Sequence, residues 1–587
     1  MTVNHEVDAH IHPYLKIFVN GSQVTIPANI GLGTAEYSPH THDATGKLHV
    51  GEGLPAGIDR QNRYVTLKDF FDVWRTTNVG DSTRNNPNAF FDSTHLMDKV
   101  ADSTHSVYMT VNGVANSEYQ NYIPEDGDEI ILSYASNDGA PTLAAIPDAT
   151  VLGGSPLLVP LDGFDPTNQQ VTYTVTSSNP LVTPTLMTNE PSWRMKVEGF
   201  GDMVFQLFTN EAPRAAERVS TLANQGFYNG LTFHRILNNF VIQGGDPAGN
   251  GTGGSDLGNF DDTFNVDLQH NRTGILSYAK SSDDTNNSQF FITEGPQRHL
   301  DFNHSIFGLL IEGESVRDAV SNVAANSSGV PTNTVFIDKT TIYNDQQNAV
   351  LKLKAAEGAS GSADITVTAR DTDGHTAVRT FRVTVTPDTV NGGPFLNDIP
   401  AIRTTVNTPA QFQLTSQDVE GNAVTYSAAK GDSLSSTVSV NATTGQVTAT
   451  PPTDFVGVMK VRASVAAATG QPNDTGDKSD VQLVNVTVAP SAPTAVDLTS
   501  VSDTGLSNTD NITNLTAPTI LITGVTNGST VKLYNGTTLL GQTTSTGTSA
   551  SITLSNLSAG SYLLTATQTV SDIESDRSAS LNVVLDT

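Results

Sequence analysis

The segment Phe233–Asp246 contains the residues of this chain whose types and spacing are best suited to chemistry. It places a fixed cation, Arg235, an aromatic ring, Phe240, and an amide, Gln243, on one short predicted strand region. These spacings suit a small apolar pocket with one polar wall. The segment therefore predicts a binding site for a small apolar group.

Two later segments, Gly274–Thr293 and Leu300–Gly308, complete a pattern. Together with Phe233–Asp246, in this order and spacing, they resemble the cyclophilins, the peptidyl-prolyl cis/trans isomerases. Amide resonance blocks rotation about an X–Pro bond with a barrier of roughly 18–20 kcal/mol. The resemblance implies an enzyme that lowers this barrier by holding the proline ring and donating a hydrogen bond, with no cofactor required.

The resemblance also implies the site residues. The implied catalytic residues are Arg235, Gln243, Phe240 and His304, and the implied substrate-binding residues are Val241, Ala279, Gln289, Phe291, Leu300 and His299. Val241 stands where animal cyclophilins usually carry methionine, and Lys280 stands where asparagine is common. His299 replaces a tryptophan that contacts cyclosporin in many eukaryotic members, so we expect weak drug binding and retained catalysis.

The fold class predicted from the whole chain is mainly β and multidomain. Within the isomerase-like part, Asp202–Phe208 predicts a strand, and two amphipathic patterns predict helices. The apolar positions that define these helices are Ala215, Val219, Leu222 and Ala223, and then Val316, Ala319, Val320 and Val323. Two helices and many short strands fit the closed, helix-capped β-barrel that the resemblance implies.

An internal repeat organises the rest of the chain. Ile146–Tyr173 aligns without a gap on Ile399–Tyr426, and both copies alternate apolar and polar residues as half-buried strands do. The interval Tyr426–Gly457 spans 31 residues, whereas its counterpart Tyr173–Gly361 spans 188, so a domain is expected to be inserted in the first copy. Both copies resemble bacterial Ig-like or cadherin-like sandwiches.

These patterns predict six segments. They are a His-rich N-terminal domain with a β-grasp-like sheet at 1–138, the first part of a sandwich at 139–192, the isomerase insert at 193–345, the second part of that sandwich at 346–390, and sandwiches at 391–490 and 491–587.

Charge and composition restrict the partners and the location. The net charge of −30 disfavours nucleic acid and anionic lipid as partners, and no stretch approaches the ~20 apolar residues that span a bilayer. The chain has no cysteine, which excludes disulfides and thiolate chemistry. With the Ig-like repeats, this composition favours a bacterial cell-surface or extracellular protein whose export signal and anchor lie outside the sequence given.

The N-terminal histidines suggest a metal site. His10, His12, His40, His42 and His49 include two pairs at i and i+2, which on a strand place both rings on one face and could bind Zn²⁺ or Cu²⁺. The alternative is a set of histidines satisfied by water and loop carbonyls. Asp371-x-Asp373-Gly374 and Asp283-Asp284 suggest calcium ligands in the sandwiches and the insert, although strand-connecting turns explain the first more simply.

Two functions of different classes follow from the sequence. The favoured one is a peptidyl-prolyl isomerase that acts on proline-containing exported or surface polypeptides and is displayed on an Ig-like stalk. The alternative is an adhesive or structural surface protein whose barrel only binds peptides, because a fold does not guarantee an activity. Surface or matrix partners of the Ig-like domains belong to both hypotheses.

Overall fold

The computed structural model describes residues 11–31, 39–50, 65–76, 84–472 and 479–586. The chain divides into two compact units, one made mainly of residues 1–392 and the other mainly of residues 393–587. The described residues are mainly strands, with three α-helices. None of these helices is both long enough and apolar enough to cross a membrane.

The N-terminal region forms a five-stranded mixed sheet beside one helix, α1 (Leu67–Thr76). The strands of the sheet are β1 (Tyr14–Val19), β2 (Ser22–Val24), β5 (His105–Val111), β6 (Val114–Ala115) and β7 (Glu129–Ser136). Two further strands, β3 (His95–Leu96) and β4 (Lys99–Val100), pair only with each other. The order β2-β1-β7-β5-β6, with β1 parallel to β7, is the β-grasp-like arrangement expected from the sequence. The buried face of α1, including Phe70, Phe71 and Trp74, packs in the core of this sheet.

The next strands belong to a sandwich that is completed much later in the chain. They are β8 (Thr142–Leu143), β9 (Ala149–Gly153), β10 (Leu157–Leu161), β11 (Gly163–Phe164), β12 (Thr172–Ser177) and β13 (Thr183–Met187).

An eight-stranded antiparallel sheet follows, with two helices, α2 (Pro213–Asn224) and α3 (Glu314–Ser321). Its strands are β14 (Pro191–Val197), β15 (Gly201–Leu207), β16 (Arg235–Leu237), β17 (Val241–Gly244), β18 (Ile275–Tyr278), β19 (Phe290–Thr293), β20 (Ile306–Glu312) and β21 (Ile337–Asn344). The order is β16-β17-β19-β18-β20-β15-β14-β21, and a bridge between Thr232 and Phe336 brings the two edges of the sheet together.

The helices of this region match the predicted faces unequally. Ala215, Val219, Leu222 and Ala223 of α2 are all buried, as predicted. On α3 the prediction is partly wrong, because Ala319 is exposed and Val323 lies beyond the end of the helix. Arg317 is buried on α3, where its guanidinium bonds Glu314 and Ser321.

Strands that follow this sheet in the sequence complete the first sandwich: β22 (Ala349–Lys354), β23 (Gly361–Arg370) and β24 (Thr376–Pro387). β22 lies between β10 and β13, and the other face has the order β12-β23-β24-β9 with β9 parallel to β24. Each of the two larger sheets therefore combines strands that precede residue 188 with strands that follow residue 348.

The second unit contains two further sandwiches. The strands of the first are β25 (Phe395–Leu396), β26 (Ile402–Thr405), β27 (Ala410–Gln413), β28 (Ser416–Gln417), β29 (Val424–Lys430), β30 (Thr437–Val440), β31 (Gln446–Thr450), β32 (Gly457–Ala467) and β33 (Ser479–Ala489). Its order β26-β33-β32-β29, with β26 parallel to β33, has the same topology as β9-β24-β23-β12, which agrees with the sequence repeat.

The strands of the last sandwich are β34 (Ala495–Leu498), β35 (Ile512–Thr513), β36 (Thr519–Thr523), β37 (Thr530–Asn535), β38 (Thr538–Thr544), β39 (Ser549–Thr553), β40 (Gly560–Val570), β41 (Ile573–Glu574) and β42 (Leu581–Leu585). They form a three-stranded and a six-stranded sheet around one apolar core.

Candidate active site

The hairpin of β16 and β17 positions the polar wall of the site. Arg235 and Gln243 are directly opposed across this antiparallel pair, so their side chains lie on the same face. The turn between the strands contains Asn239 at φ 63°, a left-handed conformation that asparagine tolerates well. The tight hairpin therefore brings Arg235 and Gln243, which are eight residues apart in the sequence, into contact.

A directional chain of hydrogen bonds extends from the arginine. The Arg235 guanidinium donates to the Gln243 amide oxygen at 3.1 Å, and the Gln243 amide nitrogen donates to the Gln289 oxygen at 3.0 Å. Gln289 in turn donates to the Gly253 carbonyl at 2.8 Å. Because each amide has one donating and one accepting end, this chain fixes both glutamines in one orientation and holds the guanidinium in place.

An apolar pocket lies beside this polar chain. Val241, Phe291 and Leu300 form a small buried cluster, against which Phe240 and Ala279 pack while remaining partly exposed. The pocket is part of an open cleft of about 800 Å³, which Arg235 also lines. A cleft with an apolar floor and one cationic wall can bind a proline ring and polarise the amide attached to it.

His304 forms another side of the cleft as a neutral ring. Its Nδ1 donates to the Tyr278 carbonyl at 2.9 Å, and its ring packs edge-on against Phe291 at 5.3 Å between centroids. Burial lowers its pKa from 6.5 to about 4. The imidazole is therefore uncharged at neutral pH and presents Nε2 as an acceptor.

The structure brings most of the predicted isomerase residues together. The cleft is lined by Arg235, Phe240, Val241, Gln243, Ala279, Phe291, Leu300 and His304. Gln289 reaches the site through its bond to Gln243, and the exposed His299 stacks on Phe240 at 5.7 Å between ring centroids.

Other residues line the cleft that the sequence reasoning did not assign. They are His234, Gly249, Asn250, Gly251, Lys280, Ser328 and Val330. His234 is buried with both ring nitrogens unbonded within the described residues, and burial lowers its pKa despite the nearby Asp246. The position of His234 next to Arg235 could have indicated from the sequence that it lies in the cleft. Nothing in the sequence indicated this for Ser328 or Val330.

Asp246 organises the loop on one side of the cleft. Its carboxylate accepts hydrogen bonds from the backbone of Ala248, Asn250 and Gly251 at 2.8, 2.9 and 2.5 Å. Burial opposes ionisation, but these three donors lower the pKa of the carboxyl below its usual value. The aspartate of the Gln-Gly-Gly-Asp sequence is thus a local anchor for cleft-lining backbone.

Comparison with known proteins identifies this region. The family model of the cyclophilin type peptidyl-prolyl cis-trans isomerases matches residues 193–342. A peptidyl-prolyl cis-trans isomerase of Schizosaccharomyces pombe is 44% identical over 133 residues, which are 22% of this chain and 86% of that protein. The chain belongs to the cyclophilins. Human peptidyl-prolyl cis-trans isomerase-like 1 is 41% identical over 141 residues, 24% of this chain and 85% of that protein.

A solved structure and a second family model complete the comparisons. The crystal structure of a cyclophilin type isomerase of Cryptosporidium parvum shares 35% identity, covering 27% of this chain and 99% of that chain with a TM-score of 0.26. Residues 487–587 match the bacterial Ig-like domain. The chain is therefore a cyclophilin-type isomerase joined to at least one bacterial Ig-like domain, and cyclophilins need no cofactor for isomerisation.

Lys280, beside the substrate-binding Ala279, has its side chain folded inwards. The ammonium is buried and pairs with Asp262 at 2.5 Å and with Asp283 at 3.6 Å. The Asp262, Asp283 and Asp284 carboxylates form a cluster that could hold a cation, but Lys280 already supplies a positive charge there. In the first sandwich, the Asp371 carboxylate accepts from the backbone of Gly374 and His375, as an Asp-Gly turn requires.

Three of the N-terminal histidines converge, although His40 and His42 lie in an irregular segment and not on a strand. His40 and His49 are partners in an antiparallel bridge, and ligand atoms of His40, His42 and His49 lie within 4.8 Å of one another. The His12 ring packs on His49 at 4.8 Å between centroids, and His10 lies outside the described residues. Burial, reinforced by the neighbouring histidines, lowers the pKa of His49 to about 3, so this ring stays neutral and available as a ligand.

Proposed function

We propose that the cyclophilin domain isomerises X–Pro bonds of exported or surface polypeptides, with Arg235 as the hydrogen-bond donor. The observation that carries this proposal is the chain Arg235–Gln243–Gln289 beside the apolar pocket. The proline ring would occupy the pocket of Val241, Phe291 and Leu300. The guanidinium would then donate to the prolyl nitrogen as amide resonance is lost, which stabilises the twisted state more than either planar isomer.

Only rotation about one bond is required, so the residues need to orient the peptide and to exclude water. Phe240 and Ala279 would close the pocket around the ring, and the Gln243 amide would hold the guanidinium in position. Each tenfold acceleration needs about 1.4 kcal/mol of preferential stabilisation of the twisted state. One charge-assisted bond in a partly desolvated cleft can supply several such factors.

The direct test is an isomerisation assay with the intact chain and a short Ala-Pro peptide. Exchange between cis and trans peptide is measured by NMR with and without protein. The enzyme hypothesis predicts saturable acceleration. Peptide binding without acceleration would instead favour the alternative, a surface protein whose cyclophilin domain serves as a peptide-binding module.

We further propose that this domain is displayed on a stalk of Ig-like sandwiches at a bacterial surface. The match of residues 487–587 to the bacterial Ig-like domain and the shared topology of the two earlier sandwiches support this proposal. The corresponding division of the chain is 1–138, 139–192 with 346–390, the insert 193–345, 391–490 and 491–587. It is supported by hydrophobic clusters centred in these regions, with Leu158, Met187 and Val350 of the first sandwich also packing in the cyclophilin cluster.

Display can be tested on intact cells that produce the protein. An antibody raised against residues 487–587 should label such cells, and external protease should remove the signal. Labelling that appears only after lysis would contradict a surface location.

A second proposed function is metal binding by the histidine cluster, defined as His12, His40, His42 and His49. The observation that favours it is the convergence of three imidazoles within 4.8 Å, with the His40 and His42 Nε2 atoms 3.2 Å apart. Neutral imidazoles suit Zn²⁺ or Cu²⁺. His42 and His49 line a cleft together with Asp43 and Asp338, whose charges favour a cation, and with Lys47 and Lys196, whose charges oppose one.

Calorimetric titration of the intact, chelator-treated chain with Zn²⁺ tests this site. We expect one equivalent to bind, and His42→Asn to abolish binding. His95→Asn is the control, because His95 is a histidine of the same region that bonds Asp92 outside the cluster. Equal Zn²⁺ binding by all three proteins would contradict the proposal.

A further inference from the structure

The first sandwich holds one side of the cyclophilin domain through a continuous set of polar contacts. Lys352 pairs with Asp267 at 2.8 Å, and Asn271 donates to the Ser155 hydroxyl and to the Pro156 carbonyl at 2.8 and 2.9 Å. Leu158 of the sandwich is buried in the same apolar cluster as the cyclophilin core. The residue 267–272 loop is therefore fastened to the sandwich.

Arg298 connects this interface to a second segment. One of its terminal nitrogens, Nη2, donates to the Asp388 carboxylate of the sandwich at 2.8 Å and to the Gln269 side chain at 2.8 Å. Its Nε donates to the Asp301 carboxylate. The side chains of Arg298, Asp301 and Asp388 are only 13%, 1% and 6% exposed, so this charge network is largely removed from water.

Removing one partner from such a network leaves an uncompensated buried charge, which is costly. Burial disfavours the charged form of Arg298, but Asp301 and Asp388 outweigh it and raise its pKa. The guanidinium is therefore held between a carboxylate of the sandwich and a carboxylate of the cyclophilin domain. Its position depends on both.

The segment that Arg298 fastens carries residues of the peptide-binding cleft. The short helical turn Arg298–Leu300 includes His299, which stacks on Phe240, and Leu300, which belongs to the apolar pocket. Asp301, the next residue, accepts a hydrogen bond from the buried His270 backbone. One turn thus places two cleft residues and one anchor.

His270 carries the connection to the pocket floor. Its Nδ1 lies 3.2 Å from the Asp301 carboxylate, and its Nε2 lies 2.8 Å from the Ser277 hydroxyl. The ring stacks on Phe291 at 5.9 Å between centroids. The Ser277–His270–Asp301 set has the residue types of a hydrolytic triad, but all three side chains are buried, so it can act only by positioning.

From these contacts we infer that Asp388, a residue of the Ig-like sandwich, is a positioning residue for the peptide-binding wall of the isomerase and acts through Arg298. The inference rests on the proposed role of the pocket formed by Val241, Phe291 and Leu300. Within the described residues, neither Arg235 nor Gln243 bonds Arg298, Asp301 or Asp388 directly. The β16–β17 hairpin meets the Arg298–Leu300 turn through the stacking of Phe240 on His299 and through the Gln297 amide, which donates to the Asn239 carbonyl at 3.1 Å. Asp388 therefore sets peptide affinity and leaves the polarising group in place.

The test compares intact chains that carry Asp388→Asn or Asp364→Asn with the unchanged protein. Asp364 is a matched control, since it forms an exposed ion pair with Arg382 on the same sandwich. Affinity for an Ala-Pro peptide is measured by NMR titration, and kcat and KM are measured by exchange spectroscopy. We expect Asp388→Asn to weaken affinity and raise KM by about threefold to tenfold, with kcat changed less than about twofold.

Two further variants separate positioning from a general loss of folding. Asp388→Glu keeps the charge and should restore most of the affinity. Arg298→Gln alone and Arg298→Gln with Asp388→Asn should have the same affinity, because Asp388 acts through Arg298. Unchanged affinity in Asp388→Asn, an equal effect in the Asp364 control, or additive effects in the double variant would overturn the inference.

Peptide affinity decides this inference independently of catalysis. If Arg235→Ala isomerises as fast as the unchanged chain, the proposed role of Arg235 fails while the affinity comparison still stands. If Arg235→Ala is inactive and Asp388→Asn binds peptide normally, only the positioning inference fails.

Discussion

Gln243 links the proposed donor to the rest of the cleft. Its amide accepts from Arg235 and donates to Gln289, so it determines where the guanidinium points. We expect Gln243→Ala to lower kcat/KM by about tenfold to a hundredfold, because a mispositioned donor stabilises the twisted amide poorly. The isomerisation assay checks this, with Gln471→Ala, at an exposed glutamine, as the control. A loss of less than twofold would contradict the role assigned to Gln243.

His304 makes the stability of the protein depend on pH. Burial lowers its folded pKa to about 4, below the unfolded value of 6.5. Between these values the unfolded chain binds more protons than the folded one, so stability falls as the pH falls through this window. We expect His304 to account for a loss of up to about 2 kcal/mol between pH 7 and pH 5. Denaturant unfolding of His304→Asn should show a smaller loss of unfolding free energy between pH 7 and pH 5 than the unchanged chain does. An equal loss in the two proteins would contradict the role assigned to His304.

At the scale of elements, the periodicity of apolar residues predicted the buried face of a helix where that face depends only on local spacing. The α2 face was predicted because its apolar residues recur as a helix requires. The α3 face was partly missed because a charged residue, Arg317, is buried there through partners within its own helix. A pattern of apolar residues cannot indicate a buried ion pair, since the pairing depends on side-chain geometry.

The β20–α3 connection contains a conformational requirement that can be tested. Gly313 has φ 88°, and an added Cβ would lie 2.2 Å from the Asp202 carbonyl oxygen. Gly199 has a similar φ of 78°, but open space surrounds it. We expect Gly199→Ala to cost about 1 kcal/mol and Gly313→Ala about 3 kcal/mol, because only the second adds a backbone clash to the conformational strain. Denaturant unfolding measures both, and equal losses would contradict the steric argument.

For the whole molecule, the repeat and the unequal interval lengths predicted an insertion from the sequence alone. The site residues carried over from the cyclophilin resemblance mostly line one cleft, since hairpin register follows from local spacing. The contacts between the insert and its surroundings could not be predicted this way. Arg298 and Asp388 are 90 residues apart, and nothing in either local sequence indicates that they pair.

A carboxylate cluster lies where the first sandwich meets the cyclophilin domain. Burial, with Glu312 and Asp345 nearby, raises the pKa of Asp162 to about 7. The folded chain then holds a proton that the unfolded chain lacks, so stability is lost as the pH rises from about 4 to about 7. We expect Asp162→Asn to stabilise the chain at pH 8 by about 1 to 4 kcal/mol, and the exposed Asp497→Asn to have no effect. Denaturant unfolding at pH 8 measures this effect. An unchanged midpoint in Asp162→Asn would contradict the raised pKa assigned to Asp162.

The central claim is that this cyclophilin domain is an active isomerase that works through Arg235. The most direct measurement is the cis/trans exchange rate of an Ala-Pro peptide with the intact chain and with Arg235→Ala. We predict at least about a hundredfold loss of kcat/KM in Arg235→Ala, with the unfolding midpoint unchanged. Equal exchange rates with the two proteins would contradict the account.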